Sequence, residues 1–272
     1  LSNSTAISQT ASTTSKPAPR NVRGLVFVVP VLLLVFWYLS TEVFKWFAPN
    51  QLPSPLSVLG TAGELLVSGD LWRHISASVL RVLVGFAIGA VIAVVAGTAV
   101  GLSKTAEQLL DPTLQALRNI PSLAWVPFLL LWLGIDEAPK ITLIAIGAFF
   151  PVYLNLISGI RQADRKLVEV GYVFGLRNLA LVQQIILPSA MPYLLAGLRI
   201  GFGQAWLFLV AAELIASTRG LGFMLIDGQN SARPDIMLVS IITLALLGKL
   251  SDSLLRRVEK RALSWTDTFG GK

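Results

Sequence analysis

The chain has no cysteine, which excludes disulfides, thiol chemistry and cysteine-ligated metals. Its single histidine, His74, stands beside Trp72 and Arg73 ahead of an apolar stretch, and reads as an interfacial side chain rather than a metal ligand. Charge is sparse: 14% of residues are Asp, Glu, Lys or Arg, whereas a soluble domain carries about 25%. No G-x-x-x-x-G-K-[ST] run occurs, so there is no loop to cradle nucleotide phosphates, and neither H-E-x-x-H nor G-x-S-x-G is present. The chain is therefore expected to be no enzyme and to bind no metal or cofactor of its own. Any energy it uses must come from elsewhere.

Apolar side chains are abundant instead, at 54% of residues with a mean hydropathy of +0.70. A bilayer core about 30 Å thick needs roughly 20 mostly apolar residues per helix. Six stretches qualify as expected spans, at 24–44, 78–102, 120–135, 141–160, 193–212 and 236–255. The third is short and carries Pro121 and Pro127, which predicts a kink or a start below the membrane surface. Basic residues are retained on the cytosolic side of short loops. With the N-terminus inside, thirteen basic residues fall on the cytosolic side, among them Lys104, Arg161, Lys166, Arg177, Arg256, Arg257 and Lys260. Five fall outside, namely Lys45, Arg73, Lys140, Arg219 and Arg233. Both termini are therefore expected inside, as an even number of spans requires. The net charge of +7 lies beside spans rather than on one recognition face, and so does not indicate nucleic-acid binding.

Residues 1–20, rich in Ser, Thr, Ala and Gln, are expected to form a disordered cytosolic tail. A transmembrane domain spans 21–265, with a cytosolic insert at 161–192, and 266–272 form a C-terminal tail. The first span follows Arg20 and Arg23 and reads as an uncleaved signal anchor. Leu52-Pro-Ser-Pro55 stops any helix, and 56–68 read as a short helix at the outer surface. Gly85 with Gly89, Gly97 with Gly101, and Gly197 with Gly201 are spaced four apart. Such faces let helices approach closely in lipid, either within the chain or between two copies. Ionisable groups in or beside spans are functional candidates by default. Lys249 and Asp252 are expected to pair with each other. Arg81 and Glu213 are placed near outer ends and Arg118 and Arg199 near inner ends, where long side chains can snorkel. An anion crossing the bilayer needs compensating positive groups, which makes Arg81 and Arg118, with the adjacent Asn119, candidates for a substrate pathway.

The most informative segment runs from Glu169 to Pro188: Glu-Val-Gly-Tyr-Val-Phe-Gly175, nine residues, then Ile185-Ile-Leu187-Pro188. A short amphipathic helix ending at Gly175, where a positive φ permits a tight turn, leads into a second helix running to Pro188. This resembles the cytosolic coupling motif of bacterial ABC importer permeases, E-A-A-x3-G-x9-I-x-L-P, with Val170 and Gly171 replacing the two alanines. The resemblance covers about 50–268, through Ser78-Val-Leu-Arg81, Leu117-Arg-Asn-Ile-Pro121, Leu131-Trp-Leu-Gly-Ile-Asp136, Gly220-Leu-Gly222 and Leu246-Leu-Gly-Lys-Leu-Ser-Asp252. These pieces are similar to the nitrate, taurine and sulfonate importer permeases, and most similar to the aliphatic-sulfonate permeases.

The resemblance implies an all-α integral membrane protein of about six transmembrane helices with type I ABC importer permease architecture, in the bacterial plasma (inner) membrane. It implies a second copy of this permease, two ATPase subunits using ATP and Mg, and a periplasmic or lipid-anchored substrate-binding protein that selects the ligand. Glu169, Gly171, Gly175, Ile185, Leu187 and Pro188 would then couple to the ATPase, and Gly220 and Gly222 would lie near the binding protein or gate. Taurine, nitrate, bicarbonate or a heterocyclic vitamin precursor remain alternative cargoes. A passive channel or secondary transporter would leave the Glu169 to Pro188 insert unexplained, and a non-transporting membrane scaffold would need no polar route and show no flux.

Overall fold

The computed structural model describes residues 27–264. The expected tails, and the beginning of the first expected span, lie outside these. Among the described residues the secondary structure is helical throughout. It comprises α1 (Val28–Tyr38, continued by a π-turn at Leu39–Val43), α2 (Pro55–Val67), α3 (Asp70–Leu102), α4 (Lys104–Arg118), a 3₁₀ turn at Ser122–Trp125, α5 (Val126–Leu133), α6 (Glu137–Arg161), α7 (Arg165–Val173), α8 (Asn178–Leu181), a π-turn at Val182–Ile186, α9 (Leu187–Ala216), α10 (Leu221–Asn230) and α11 (Pro234–Ala262). The short helix expected at 56–68 is α2. It starts where Pro55 occupies the first turn and the Ser54 hydroxyl accepts a hydrogen bond from the Ser57 amide at 3.3 Å.

Among the described residues, four helices are long and apolar enough to cross a bilayer: Asp70–Leu102, Glu137–Arg161, Val182–Ile215 and Pro234–Ala262. Lys104–Arg118 and Ser122–Leu133 form a pair bent by 92°, and count as a fifth crossing if taken together. The span expected at 120–135 is the second arm of this broken pair. Its first arm, α4, carries Glu107, Asp111 and Pro112, which hid it from a search for continuous apolar runs. The first expected span appears as the apolar helix Val28–Val43.

The centre of the fold is α6, held between α3 and α9. The glycines spaced four apart make this packing possible, and they serve it within one chain. A Cβ at Gly85 would lie 2.7 Å from Ile144 and 2.9 Å from the Ile141 carbonyl, and one at Gly89 would run into the Ala145 carbonyl. From the other side, a Cβ at Gly201 would sit 2.9 Å from the Ala148 carbonyl and one at Gly197 2.8 Å from Asn155 Cβ. Lipid tails are as apolar as leucine, so helices associate in a bilayer through such close van der Waals contact. Val82, Ile144, Ala148, Ala205 and Leu209 fill the space beside these approaches and are fully buried.

One local expectation needs correction. The helix entering Pro188 does not end there: α8 passes through the Val182–Ile186 π-turn directly into α9, with Pro188 in the first turn of α9. Proline removes one amide donor and crowds the preceding turn. The wider π-turn immediately before it accommodates that defect and keeps the rod continuous.

A bulkier side chain at the α3–α6 contact should therefore separate two backbones. Gly89→Ala is expected to destabilise the folded chain by about 1–3 kcal/mol. Gly203→Ala in α9, with nothing within 4 Å of the new methyl, is expected to be neutral or to stabilise by about 0.5–1 kcal/mol. Denaturant unfolding of the purified variants in a fixed detergent measures both, and equal effects would refute the close-approach account.

Candidate coupling segment and transport pathway

At one end of the molecule α7 forms a short, separate helix. The Asp164 carboxylate caps it by accepting from the Lys166 amide at 2.9 Å. It closes in a Schellman turn: the Gly175 amide donates to the Tyr172 carbonyl at 3.0 Å and the Leu176 amide to the Gly171 carbonyl at 2.9 Å. Gly175 takes φ +79° there, which favours glycine. Gly171 is buried, and a methyl at that position would press on the Ile185 and Leu181 side chains. The glycine standing where the related motif has alanine thus lets α7 lie directly against the π-turn leading into α9.

Of the sequence-predicted coupling residues, Gly171 and Ile185 are therefore in mutual contact. Glu169 and Gly175 are exposed on α7 and its turn, and Leu187 and Pro188 are half-buried at the start of α9. Glu169 makes no ion pair among the described residues. The tip is apolar: Val173 is 86% and Phe174 80% exposed, with Tyr172 beside them. Large apolar side chains thus stand open at this tip, beside the exposed Glu169 carboxylate.

At the opposite end lies a buried charged hub. The Arg81 guanidinium donates from Nε and Nη2 to Glu137 at 2.6 and 2.7 Å, and from Nη1 to Glu213 and to the Arg219 carbonyl, both at 2.6 Å. The Glu213 carboxylate also accepts from the Ser78 hydroxyl at 2.8 Å and from the Gly222 amide at 2.8 Å. Lys140 Nζ lies 3.5 Å from Glu137, so two cations balance two carboxylates. Arg81 is 3% and Glu213 1% exposed. The expectation that both snorkel to the interface is thus corrected: α3, α6 and α9 enclose them, and each is the other's partner. Arg81 has most of its donors committed inside the protein, so it is not a free counter-charge for a passing anion. Sequence reasoning missed Glu137, Ser78 and Lys140 as hub members. The available signal was an acidic residue opening an apolar span next to a lysine, which marks a helix N-terminus as readily as a partner for Arg81.

The hub also fixes the loop before α10. Gly220 and Gly222 are buried against Glu213, so the tight turn they form is packed inside the chain. Gly220 has φ +126° and its amide donates to His74 Nδ1 at 3.0 Å, while the His74 ring stacks on Phe223. The loop instead exposes Thr218 and Arg219. These two, with Arg73, His74, Arg81 and Glu137, line a cleft of about 780 Å³.

Arg118 and Asn119 are exposed at the elbow between α4 and the 3₁₀ turn. They do not lie near the inner end as expected. The first arm runs antiparallel to α6, tied by Arg161 to Glu107 at 2.8 Å and by the Tyr153 hydroxyl to Asp111 at 2.9 Å. Leu114 and Leu117 reach the level of Phe149 and Ile146, and Ile146 is about 22 Å along α6 from Arg161 at 1.5 Å per residue. The elbow therefore sits level with the middle of the central helix. The expected Lys249–Asp252 pair is also replaced: Asp252 takes Arg199 of α9 at 2.7 Å and Arg256 at 3.2 Å, because a guanidinium across the helix interface reaches it with better geometry than a lysine three residues away.

Residues 85–264 match the family described as binding-protein-dependent transport system inner membrane component. The chain is 43% identical over 250 residues to a putative aliphatic sulfonates transport permease protein, SsuC, of Bacillus subtilis (strain 168), covering 92% of this chain and 90% of that protein. It is 34% identical over 256 residues to the taurine transport system permease protein TauC of Escherichia coli (strain K12), covering 92% of each. The fold is similar to a chain of the MetNI methionine ABC transporter in inward-facing conformations, with a TM-score of 0.62 and 18% identity over 71% of this chain and 95% of that one.

Removing one side of the hub should leave buried charge uncompensated. Arg81→Ala is expected to lower stability by about 3–5 kcal/mol. Glu213→Gln should cost less, since its amide oxygen can still accept from Ser78 and Gly222 while Arg81 keeps Glu137. Thermal unfolding of the purified permease in detergent ranks the two, and an equal or reversed order would show that charge pairing does not hold this end together.

Proposed function

We propose, from the premise that this chain belongs to the binding-protein-dependent transport system inner membrane component family, that it carries organosulfonate anions, aliphatic sulfonates above all, through the bacterial inner membrane. It is the permease component of an ABC importer and a multi-pass membrane protein. Two copies form the pathway, two ATPase subunits bind beneath them and use ATP and Mg, and a periplasmic or lipid-anchored binding protein delivers the ligand from above. The coupling segment and the basic loops face the cytosol, and the hub faces outward.

One observation carries the coupling role: a capped helix ending in a glycine turn, with Val173 and Phe174 bare at its tip and an exposed Glu169 beside them that makes no ion pair among the described side chains. That unit offers an apolar knob and the exposed Glu169 carboxylate to a groove on an ATPase. Its motion would enter α9 through the Gly171–Ile185 contact. Arg118 and Asn119 remain the pathway candidates, because irregular backbone level with the middle of a span is tolerated only where it meets protein or a water-filled cavity. Arg81 contributes by holding α3, α6 and α9 in register. The sulfonate reading is supported by the higher identity to the sulfonate relative than to the taurine one.

Two experiments test this. Gentle solubilisation of the tagged chain from its native membranes, followed by mass spectrometry, is expected to recover a P-loop ATPase and a secreted binding protein. Recovery of the folded chain alone would favour a passive channel, as would uptake that persists after ATP depletion. Glu169→Lys is expected to leave insertion intact but to reduce ATP-dependent uptake roughly tenfold or more, the scale of losing a buried charge contact at an interface. Unchanged uptake would contradict the coupling assignment.

A further inference from the structure

Side chains fasten the turn that joins α9 to α10. Three successive amides of the turn each donate to a different one: Gly220 to His74 Nδ1 at 3.0 Å, Leu221 to the Ser78 hydroxyl at 2.8 Å, and Gly222 to the Glu213 carboxylate at 2.8 Å. The Arg219 carbonyl just before them accepts from Arg81 at 2.6 Å. His74, Ser78 and Arg81 recur at helical spacing, so one face of α3 grips the turn along its length. Gly220 is buried, and a buried amide left without an acceptor is costly. His74 is what supplies that acceptor.

Among these side-chain types only imidazole ordinarily changes charge between pH 5 and 8. To accept through Nδ1 the ring must be neutral and carry its proton on Nε2. A second proton goes to Nδ1, turns the acceptor into a donor, and sets two N–H groups against each other. Turning the ring over brings no relief, because the amide then meets a ring carbon. Phe223 stacks on the imidazole from the α10 side, while its other side lines the open cleft of about 780 Å³. Protons from solvent therefore reach a ring whose hydrogen bond is packed inside.

We propose that His74 is a proton-released fastener of this turn: neutral, it holds the Gly220 amide, and charged, it lets the turn go. The hydrogen bond fixes the sign, since the fastening is present at high pH and is lost as pH falls. The charged groups on the neighbouring elements are Asp70, Arg73 and Arg81 on α3, Glu64 on α2, Glu137 and Lys140 on α6, Glu213 on α9, Arg219 in the turn and Asp227 on α10. Among the described residues none of them forms a hydrogen bond or ion pair with the imidazole. Release frees the segment carrying the exposed Thr218 and Arg219 at the cleft rim. That acid acts from outside the cell rests on the orientation proposed above; the fastening itself does not.

The test is hydrogen–deuterium exchange of the purified permease in detergent, where both faces meet the same pH, so it is independent of orientation and cargo. Protection of the 217–223 segment, corrected for intrinsic exchange and referred to 150–160 of the α6 core, is compared at pH 7.5 and 5.5. This window lies above the ordinary carboxylate range, near 4. In the wild type protection is expected to fall roughly tenfold in acid, the scale of one buried hydrogen bond lost. His74→Asn, whose amide oxygen takes the place of Nδ1 without titrating, should stay protected at both values. His74→Phe, which keeps a ring against Phe223 but offers no acceptor, should be poorly protected at both. Wild-type protection that does not change with pH overturns the proposal. So does an undiminished fall in His74→Asn, which would place the titrating group elsewhere, or full protection in His74→Phe at pH 7.5.

Discussion

The close approach of α3 and α9 to α6 is the constraint on which the remaining structure depends. Where a glycine of one helix meets a carbonyl of the next, the helices cannot slide without opening voids or clashing, since packed interiors tolerate little change in volume. The three helices therefore behave as one block. α9 belongs to that block along Gly197, Gly201, Ala205 and Leu209, yet its N-terminal extension passes through the π-turn to the site where α7 rests. At its C-terminal end stands Glu213, inside the hub. A continuous apolar helix of 34 residues, Val182–Ile215, is about 51 Å long, enough to join events at both faces of a membrane.

Such a rod transmits only if its ends are held firmly. At the coupling end, Gly171 allows α7 to lie against Ile185 and Leu181 without an intervening side chain. At the other end Arg81 binds carboxylates from α6 and α9 together, and Ser78 of α3 both donates to Glu213 and accepts from the Leu221 amide. A buried ion pair adds little net stability compared with a well-packed apolar substitute. Its value is geometric: bidentate guanidinium contacts define direction as well as distance, and here they set the mutual register of three helices and the loop before α10.

Much of this was legible in the sequence, and the limits have physical causes. The Gly175 turn could be read because a glycine between two short amphipathic segments has few other uses. The glycine pairs announced close packing, although spacing cannot say whether the partner helix lies in the same chain. α4 escaped because Glu107 and Asp111 make it look like a surface loop. In the fold both carboxylates face α6, where Arg161 and Tyr153 satisfy them. Arg81 and Glu213 are 132 positions apart, so neither betrayed the other, and each alone looked like an interfacial charge. Asp252 was assigned to Lys249 by helical spacing, whereas Arg199 approaches from another helix. Local periodicity records what one helix can do by itself; these pairings exist only after several helices have docked.

The division of charge along the α3–α6 face bears on how an importer can both accept and release an anion. A buried, unpaired arginine would bind an anion tightly and let go of it slowly, since attraction grows as the local dielectric falls. In this fold the deeply buried guanidinium is already neutralised by Glu137 and Glu213, while Arg219 and Arg73, the latter 3.7 Å from the Asp70 carboxylate, stand at the solvent-exposed rim. Exposed cations are screened by water and salt, so they can attract an anion without trapping it. Discrimination among anions then need not lie at this end of the permease, whose buried charge serves to hold three helices in register.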